Sequence, residues 1–199
     1  MAEGSAGPRT NQALRTRRAL LDAASRLMKQ GRRPTFEEVA EEALVSRATA
    51  YRYFTGVEPL LVEAALDLAM PGPAMFDGDA SQDPVDRLLR ADAAVQAMIR
   101  ANDAALRTML IHSLQAELDV AAGGPPARQN RRMPLILAAL APLRDRLDPE
   151  RFERLAHALA VVIGTESTMA FKDVLRLDDG EADETRRWMI QALVAAATD

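Results

Sequence analysis

Cysteine is absent from the 199-residue chain, aromatic residues make up only 4% of it, and histidine occurs twice. Without cysteine the chain has no disulfide and no thiolate metal site, which is compatible with a reducing compartment. No segment offers 18 uninterrupted apolar residues, and the N-terminus lacks the apolar core of a signal peptide. These absences predict a soluble, cytoplasmic protein that does not contact a membrane.

The usual enzyme signatures are absent as well: the sequence has no HExxH, GxSxG, P-loop or GxGxxG motif. The two histidines, His112 and His157, could ligate a metal together with Glu166, but the three lie far apart along the chain. An exposed or hydrogen-bonded histidine is the simpler interpretation. We therefore expect no catalytic residues, no metal and no cofactor.

Ala, Leu and Arg dominate the composition, and 48% of the residues are hydrophobic. This combination favours helices over sheets and predicts an all-α fold, with about nine helices. The charge is unevenly distributed. Residues 1–56 carry 10 Lys/Arg and 6 Asp/Glu, whereas residues 57–199 carry 15 and 23. The net charge of −4 by itself argues weakly against nucleic-acid binding. The basic N-terminal part nevertheless favours a small DNA-binding domain attached to a larger acidic one.

The basic part contains the stretch TFEEVAEEALVSRATAYRYF, which begins at Thr35 and ends at Phe54. Thr35 followed three residues later by Glu38 is a capping box, which predicts a helix over residues 36–43. Ser46 is an N-cap for a second short helix that extends to Phe54. Two short helices joined by a tight turn predict a helix-turn-helix.

The second helix has the composition of a recognition helix, because Arg reads guanine edges and hydroxyl groups bind phosphates. We expect Ala48 and Phe54 to face inward. The predicted DNA-binding residues are Thr35, Ser46, Arg47, Thr49, Tyr51, Arg52 and Tyr53. The alternative is an ordinary helical hairpin with a solvated basic face.

Two further expectations concern the neighbouring charges. The first helix, over residues 10–30, is expected to scaffold the other two, with Arg17 or Arg18 as a candidate phosphate contact. Four glutamates make the outer face of the helix after Thr35 acidic. Glu38 is explained by capping, and the other three, Glu37, Glu41 and Glu42, are expected to be solvated.

The run AxxLVSRATxYRYFxxxExLL, preceded by RALLDAASRLMKQG, resembles the N-terminal domain of TetR-family transcriptional regulators over about residues 20–61. The resemblance implies a three-helix DNA-binding domain, a C-terminal helical domain that binds an inducer, and a dimer built by the last two helices. Two positions depart from the family. Leu44 stands where Gly is usual, which bears on the tightness of the turn because leucine tolerates positive φ poorly. Val57 stands where Lys is usual and removes a phosphate contact.

The PGP sequence at residues 71–73 marks the predicted boundary between a DNA-binding domain, residues 1–70, and a regulatory and dimerisation domain, residues 71–199. A long helix is predicted from Asp148 to about Leu177, with apolar residues on two faces, followed by a last helix over residues 181–197. The predicted dimer-interface residues are Gly164, Thr168, Phe171, Leu175, Trp188 and Leu193. The alternative is that both helices complete the core of one protomer.

Several polar residues fall on otherwise apolar stripes, where burial without partners would be costly. They either pair with neighbouring arginines or line an effector pocket whose walls include methionine. The candidate ligand-binding residues are Asp92, Gln96, Met98, Met109, His112, Glu166 and Met169.

The sequence therefore predicts a homodimeric, DNA-binding transcriptional regulator, a repressor released from operator DNA by an apolar small molecule. The alternative from another class is a small helical metal-binding protein or enzyme that keeps the fold without binding DNA. Retention on DNA as salt rises would distinguish the two.

Overall fold

A computed structural model of the chain describes residues 8–119 and 130–199, apart from the side chains of residues 8–11, 112 and 115–119. The described residues are mainly helical and contain no strand, so the predicted all-α fold is confirmed. Their α-helices are α1 (Pro8–Lys29), α2 (Phe36–Glu42), α3 (Arg47–Tyr51), α4 (Val57–Ala69), α5 (Pro84–Ala101), α6 (Asp103–Asp119), α7 (Arg132–Ala139), α8 (Pro149–Val162), α9 (Thr165–Met169) and α10 (Asp179–Thr198). None of these helices is long and apolar enough to cross a membrane.

The helices divide into two compact units. The first unit holds α1 to α4 together with α6, and the second holds α5 and α7 to α10. The predicted division into domains 1–70 and 71–199 stays a prediction.

In the first unit, α1 packs against both α2 and α4. The apolar side of α1 supplies the centre of the core, and Gly31 ends the helix with a φ of 75°, a conformation that glycine adopts without strain. The buried core residues are Leu20, Leu21, Ala23, Ala24, Leu27, Phe36, Val39, Ala40, Ala50, Phe54, Leu60, Leu61 and Ala64.

Both predicted helix starts are confirmed. The Thr35 hydroxyl accepts a hydrogen bond from the Glu38 backbone N–H, and the Glu38 carboxylate accepts one from the Thr35 N–H, which completes the capping box of α2. Ser46 caps α3 by accepting from the Thr49 N–H. The chain between these helices turns at Leu44, which adopts a φ of 57° and is 94% exposed. A leucine therefore occupies the left-handed conformation that the resemblance associates with glycine.

The recognition segment differs from its prediction in two respects. The helix ends at Tyr51 rather than at Phe54, and Ala48 is exposed, whereas Ala50 is fully buried. Phe54 is buried as predicted. The prediction for Ala48 was wrong. The short helix is oriented by its two buried residues, Ala50 and Phe54, and Ala48 lies outside the side that they bury.

In the second unit, α5 packs against α7 and α10, and α8 packs against α7 and α10. Asp83 caps α5, and Asp178 with Glu181 forms a capping box at the start of α10. Helix α7 ends at Ala139 with Leu140 as its C-cap, shortly before Pro142, which cannot continue a helix.

The single helix predicted from Asp148 to Leu177 was wrong. The chain leaves helical geometry at Ile163 (φ −91°, ψ 85°) and runs extended through Gly164 before α9 begins. Helix α9 then continues as a π-helical turn over Ala170–Val174. The guanidinium of Arg132 occupies the space beside the break. It donates to the Ala160 carbonyl oxygen at 2.8 Å and pairs with the Glu166 carboxylate.

Candidate nucleic-acid interface

One side of helix α3 is buried against the core of the first unit, and the other sides are exposed. Ala50 and Phe54 enter the core, whereas Arg47, Tyr51 and Arg52 are exposed on the other sides of the segment. The local sequence causes this arrangement, because the apolar residues recur at four-residue spacing and the polar residues fall between them. The segment thus presents two arginines and a tyrosine hydroxyl on one short helix.

The hydroxyl groups at the start of α3 are engaged with one another. The Ser46 Oγ lies 2.8 Å from the Thr49 Oγ1 and accepts a hydrogen bond from the Thr49 N–H at 3.1 Å. Each oxygen keeps hydrogen-bonding capacity for a further partner. The structure therefore brings these two predicted site residues together at the same helix end.

Arg47 is held from two sides. Its Nη1 lies 2.9 Å from the Glu37 carboxylate of α2, and its Nη2 donates to the Tyr51 hydroxyl at 3.4 Å. Its guanidinium also lies over the Tyr51 ring, 5.5 Å from the centroid. The hydrogen bond with Tyr51, and after it the charge of Glu37, raise the pKa of Arg47 above its ordinary value.

The other predicted DNA-binding residues lie in different surroundings. The Arg52 side chain is exposed and makes no hydrogen bond or ion pair with any described residue, whereas its backbone N–H caps the end of α3. Tyr53 is half-buried and packs against the core of the first unit. Thr35 caps α2, and its backbone and side-chain hydrogen bonds lower the pKa of Glu38. Glu38 also forms a close ion pair with Arg32.

The acidic face of α2 is exposed, as expected, and two of its three remaining glutamates also form ion pairs. Glu42 pairs with Arg26 at 2.8 Å, and Glu37 pairs with Arg47. Glu41 is exposed without an ion pair among the described residues, as expected. The acidic side chains thus neutralise arginines on neighbouring segments.

Arg17 was also a poor candidate for a phosphate contact. It is only 6% exposed, and its guanidinium is bound to the Glu63 carboxylate and lies over the Phe54 ring. Arg18 is half-exposed and pairs with Asp22 at 2.9 Å. Helix α1 therefore serves as a scaffold through Arg17.

Residues 20–64 match the family model described as bacterial regulatory proteins, tetR family. The chain carries a TetR-family DNA-binding domain. The matched segment extends from α1 into α4 and contains the whole helix-turn-helix, so the resemblance drawn from the sequence is confirmed. Residues 20–64 thus resemble the DNA-binding domain of TetR-family regulators of transcription. Neither a curated protein nor a solved structure gives a significant match to the chain.

The candidate effector residues Asp92 and Gln96 are buried in the second unit, within a polar network. Gln96 donates to the Asp92 carboxylate at 3.0 Å and accepts from the Thr168 hydroxyl at 2.9 Å. Asp92 lies 3.3 Å from the Nε of Arg186, whose side chain is almost completely buried. One guanidinium nitrogen of Arg186, Nη1, is buried without a hydrogen-bond partner among the described residues. These contacts match the alternative in which the polar residues pair with an arginine.

The remaining candidate effector residues are dispersed. Met98 and Met169 are half-buried in the second unit, whereas Met109 belongs to α6 in the first unit. Glu166 is exposed and pairs with Arg132. The side chain of His112 lies outside the described residues. Effector binding by this set stays a prediction.

No group of three potential metal ligands occurs among the described residues. His157 is exposed on α8, and Glu166 is engaged with Arg132.

The predicted dimer-interface residues separate into two groups. Gly164, Thr168 and Phe171 are buried within the protomer, and their place at a dimer interface stays a prediction. Trp188 is 68% and Leu175 58% exposed, and Leu193 is half-buried.

Sequence reasoning did not assign a role to Glu37, which holds Arg47. The two residues lie on different helices and ten positions apart, and no periodicity connects them. The available signal was the acidic face of α2 beside a basic recognition helix. Carboxylates so close to DNA phosphates would be unfavourable unless arginines neutralised them.

Proposed function

We propose that this regulator is a homodimeric repressor that reads operator DNA with α3 and is released by a small-molecule effector. The observation that carries the DNA-reading part is the α3 surface, where Arg47, Tyr51 and Arg52 are exposed above the buried anchors Ala50 and Phe54. Because its partner is DNA, we place the protein in the cytoplasm.

The side chains on this surface have different tasks in the proposed complex. Arg47 donates two hydrogen bonds to a guanine edge, because its guanidinium is oriented and other donors remain free. Arg52, whose side chain has no partner among the described residues, binds phosphate. The hydroxyl groups that complete the phosphate contacts are those of Thr35, Ser46, Thr49, Tyr51 and Tyr53.

The DNA-reading part is tested on a duplex selected by the protein from a randomised library, with a random duplex for comparison. Arg47→Ala should cost about 1–3 kcal/mol on the selected duplex and less on the random one. Arg52→Ala should weaken both equally and reduce the salt slope by about 1. Arg146→Ala, which removes an exposed arginine outside the helix-turn-helix, is the control and should change neither affinity.

Equal losses with Arg146→Ala and Arg47→Ala would contradict the assignment of α3 as the reading helix. Fluorescence anisotropy gives all the affinities. Transcription in vitro from a promoter that overlaps the selected duplex tests repression, and an increase in transcript would indicate an activator.

The dimer proposal is supported by exposed apolar side chains in the second unit. Val161 on α8, Val174 and Leu175 after α9, and Trp188 on α10 are between 58% and 75% exposed. Exposed apolar side chains mark an interaction site where they form one contiguous patch, and α8 with Val161 packs against α10 with Trp188. A twofold-symmetric partner that presents the same residues would cover them.

Trp188→Asp should convert the dimer into monomers in sedimentation, because an unpaired charge would be placed in an apolar interface. The fold should survive since Trp188 is 68% exposed. Arg187→Asp adds an acidic group at the adjacent exposed position and should leave the dimer intact. A monomeric wild-type protein would contradict the proposal.

The effector proposal places the ligand in the second unit, near the buried polar network. Its support is the Nη1 of Arg186, a buried donor without a hydrogen-bond partner among the described residues. Leaving such a donor unpaired costs about 1–3 kcal/mol, which an acceptor on a mostly apolar ligand would recover. A ligand that binds the DNA-free form more tightly by about 1.4 kcal/mol lowers operator affinity tenfold.

Candidate effectors are apolar compounds that carry one carbonyl or carboxylate group, screened for thermal stabilisation and then for release of the selected duplex. Stabilisation should disappear in Gln96→Leu, which changes the network, and persist in Arg146→Ala. Binding that is insensitive to Gln96→Leu and also to Met98→Ala would place the effector elsewhere.

A further inference from the structure

Arg47 is contacted by side chains from two helices, α2 and α3. Glu37 approaches its Nη1 from α2, and Tyr51 contacts its Nη2 from the end of α3. We call these two contacts the Arg47 clamp.

The clamp is anchored in the core of the first unit. The Tyr51 ring packs on Phe36, with ring centroids 4.4 Å apart, and Phe36 is only 5% exposed. Phe36 and Glu37 are adjacent at the start of α2, where the capping box fixes the backbone. Two neighbouring residues of α2 therefore fix the clamp. Phe36 holds the Tyr51 ring, and Glu37 pairs directly with Arg47.

The clamp leaves enough donors for a base. A guanidinium has five N–H donors, of which one is engaged by the Tyr51 hydroxyl and one group, Nη1, is drawn to the Glu37 carboxylate as an ion pair. The other donors remain, and a guanine edge needs two of them for its O6 and N7. Ordering a long side chain at an interface lowers affinity by roughly two- to tenfold, so an arginine that is already held avoids this loss.

We propose that Glu37 is a positioning residue for base readout, which holds Arg47 toward the bases and withholds it from the phosphates of random DNA. This inference rests on the proposed reading of guanine by Arg47. An arginine without the carboxylate would be free to bind any phosphate within reach, which gives affinity without sequence information.

The chain contains a matched control for the charge of Glu37. Glu41 lies on the same helix one turn later, is exposed, and makes no ion pair among the described residues. Glu37→Gln and Glu41→Gln remove the same charge from the same face, but only the first opens the clamp. Both replacements keep a good helix former.

The experiment measures the affinity of the full chain for a selected duplex and for a random duplex over a series of salt concentrations. In Glu37→Gln the ratio of the two affinities should fall roughly two- to tenfold. Affinity for the random duplex should rise, with a salt slope steeper by about 0.9 per recognition helix, because each released Arg47 gains a phosphate. Glu41→Gln should leave the ratio and the slope unchanged.

The same measurements in an Arg47→Met background complete the test. There Glu37→Gln should no longer change the ratio, because the residue that it positions is gone. If Glu37→Gln and Glu41→Gln raise both affinities equally, Glu37 only repels phosphates and the inference is wrong. If Arg47→Met itself leaves the ratio unchanged, the proposed base readout fails and the clamp has no role in it. A wild-type protein that selects no duplex would refute the DNA-reading function before the clamp is considered.

Discussion

Arg17 and Glu63 form a buried ion pair with two parallel hydrogen bonds between α1 and α4. The Nη1–Oε1 distance is 2.6 Å and the Nη2–Oε2 distance is 2.5 Å. The Arg17 guanidinium also lies 4.6 Å from the centroid of the Phe54 ring, which is one of the two anchors of α3. A single arginine thus connects the scaffold helix, α4 and the base of the recognition segment.

Arg17→Met should destabilise the protein by about 3–5 kcal/mol, because it breaks a buried ion pair by removing one of its two members. Urea denaturation provides the measurement. Arg18→Met is the control, since the exposed pair of Arg18 with Asp22 is worth at most about 1 kcal/mol. Stability should largely return in Arg17→Met/Glu63→Leu, in which apolar side chains replace both members of the pair. Similar losses for the two single variants would contradict the buried role of Arg17.

Local signals in the sequence predicted the helix-turn-helix well. The capping residues Thr35 and Ser46 and the stop at Gly31 act on backbone groups within four residues, so their spacing alone carries the information. The ion pair of Arg17 with Glu63 joins residues 46 positions apart, and the sequence indicated Arg17 only as a candidate phosphate contact. Contacts of this range depend on how the helices pack, which no local pattern encodes.

The turn of the helix-turn-helix is strained at Leu44. A leucine with a φ of 57° costs roughly 1–2 kcal/mol, and the side chain is 94% exposed, so packing does not offset the cost. Leu44→Gly should therefore stabilise the protein by up to about 1 kcal/mol, after the greater backbone entropy of glycine in the unfolded chain is subtracted. Thermal unfolding measures the change.

Leu44→Val is the matched comparison, because a β-branched residue suits positive φ even less and should lower stability. If Leu44→Gly is the less stable protein, the turn does not hold the left-handed conformation in solution.

The break after α8 depends on Gly164 and Arg132. A Cβ at position 164 would lie 1.8 Å from the Arg132 Nη1. In Gly164→Ala the guanidinium must therefore leave the Ala160 carbonyl and the Glu166 carboxylate, which lie 2.8 and 2.7 Å away. The loss should be about 1.5–3 kcal/mol, as expected for hydrogen bonds to a charged group.

A double-mutant cycle tests this relationship. Because Gly164→Ala acts by displacing Arg132, Arg132→Ala should cost about as much, and the double variant should cost little more than either one. Additive losses would show that the alanine disturbs the extended backbone instead. The sequence could not predict this break. A single glycine is tolerated inside a helix, and the side chain beside the break, Arg132, belongs to α7 and lies 32 positions earlier in the chain.

The last prediction concerns the pH dependence of stability at Asp92. Burial raises the pKa of Asp92 above its ordinary value of 3.8, although the hydrogen bond from Gln96 and the charge of Arg186 act in the opposite direction. The folded protein therefore binds the Asp92 proton more tightly than the unfolded chain does. Between the ordinary and the raised pKa, this group makes the folded state more stable as the pH falls, and the gain is lost as the pH rises through the folded-state pKa.

Asp92→Asn removes this titration. It also removes one of the two carboxylates that pair with Arg186, the other being Asp183, but that cost does not vary with pH in the same range. The difference in the free energy of unfolding between wild type and Asp92→Asn should therefore increase in favour of wild type on acidification from about pH 7 to about pH 4, as followed by urea denaturation. Each unit of pKa difference contributes about 1.4 kcal/mol. Asp145→Asn, at an exposed position, should show no such trend. The opposite slope would mean that the attraction of Arg186 outweighs burial, and that the buried pair is ionised on both sides at every pH in the range.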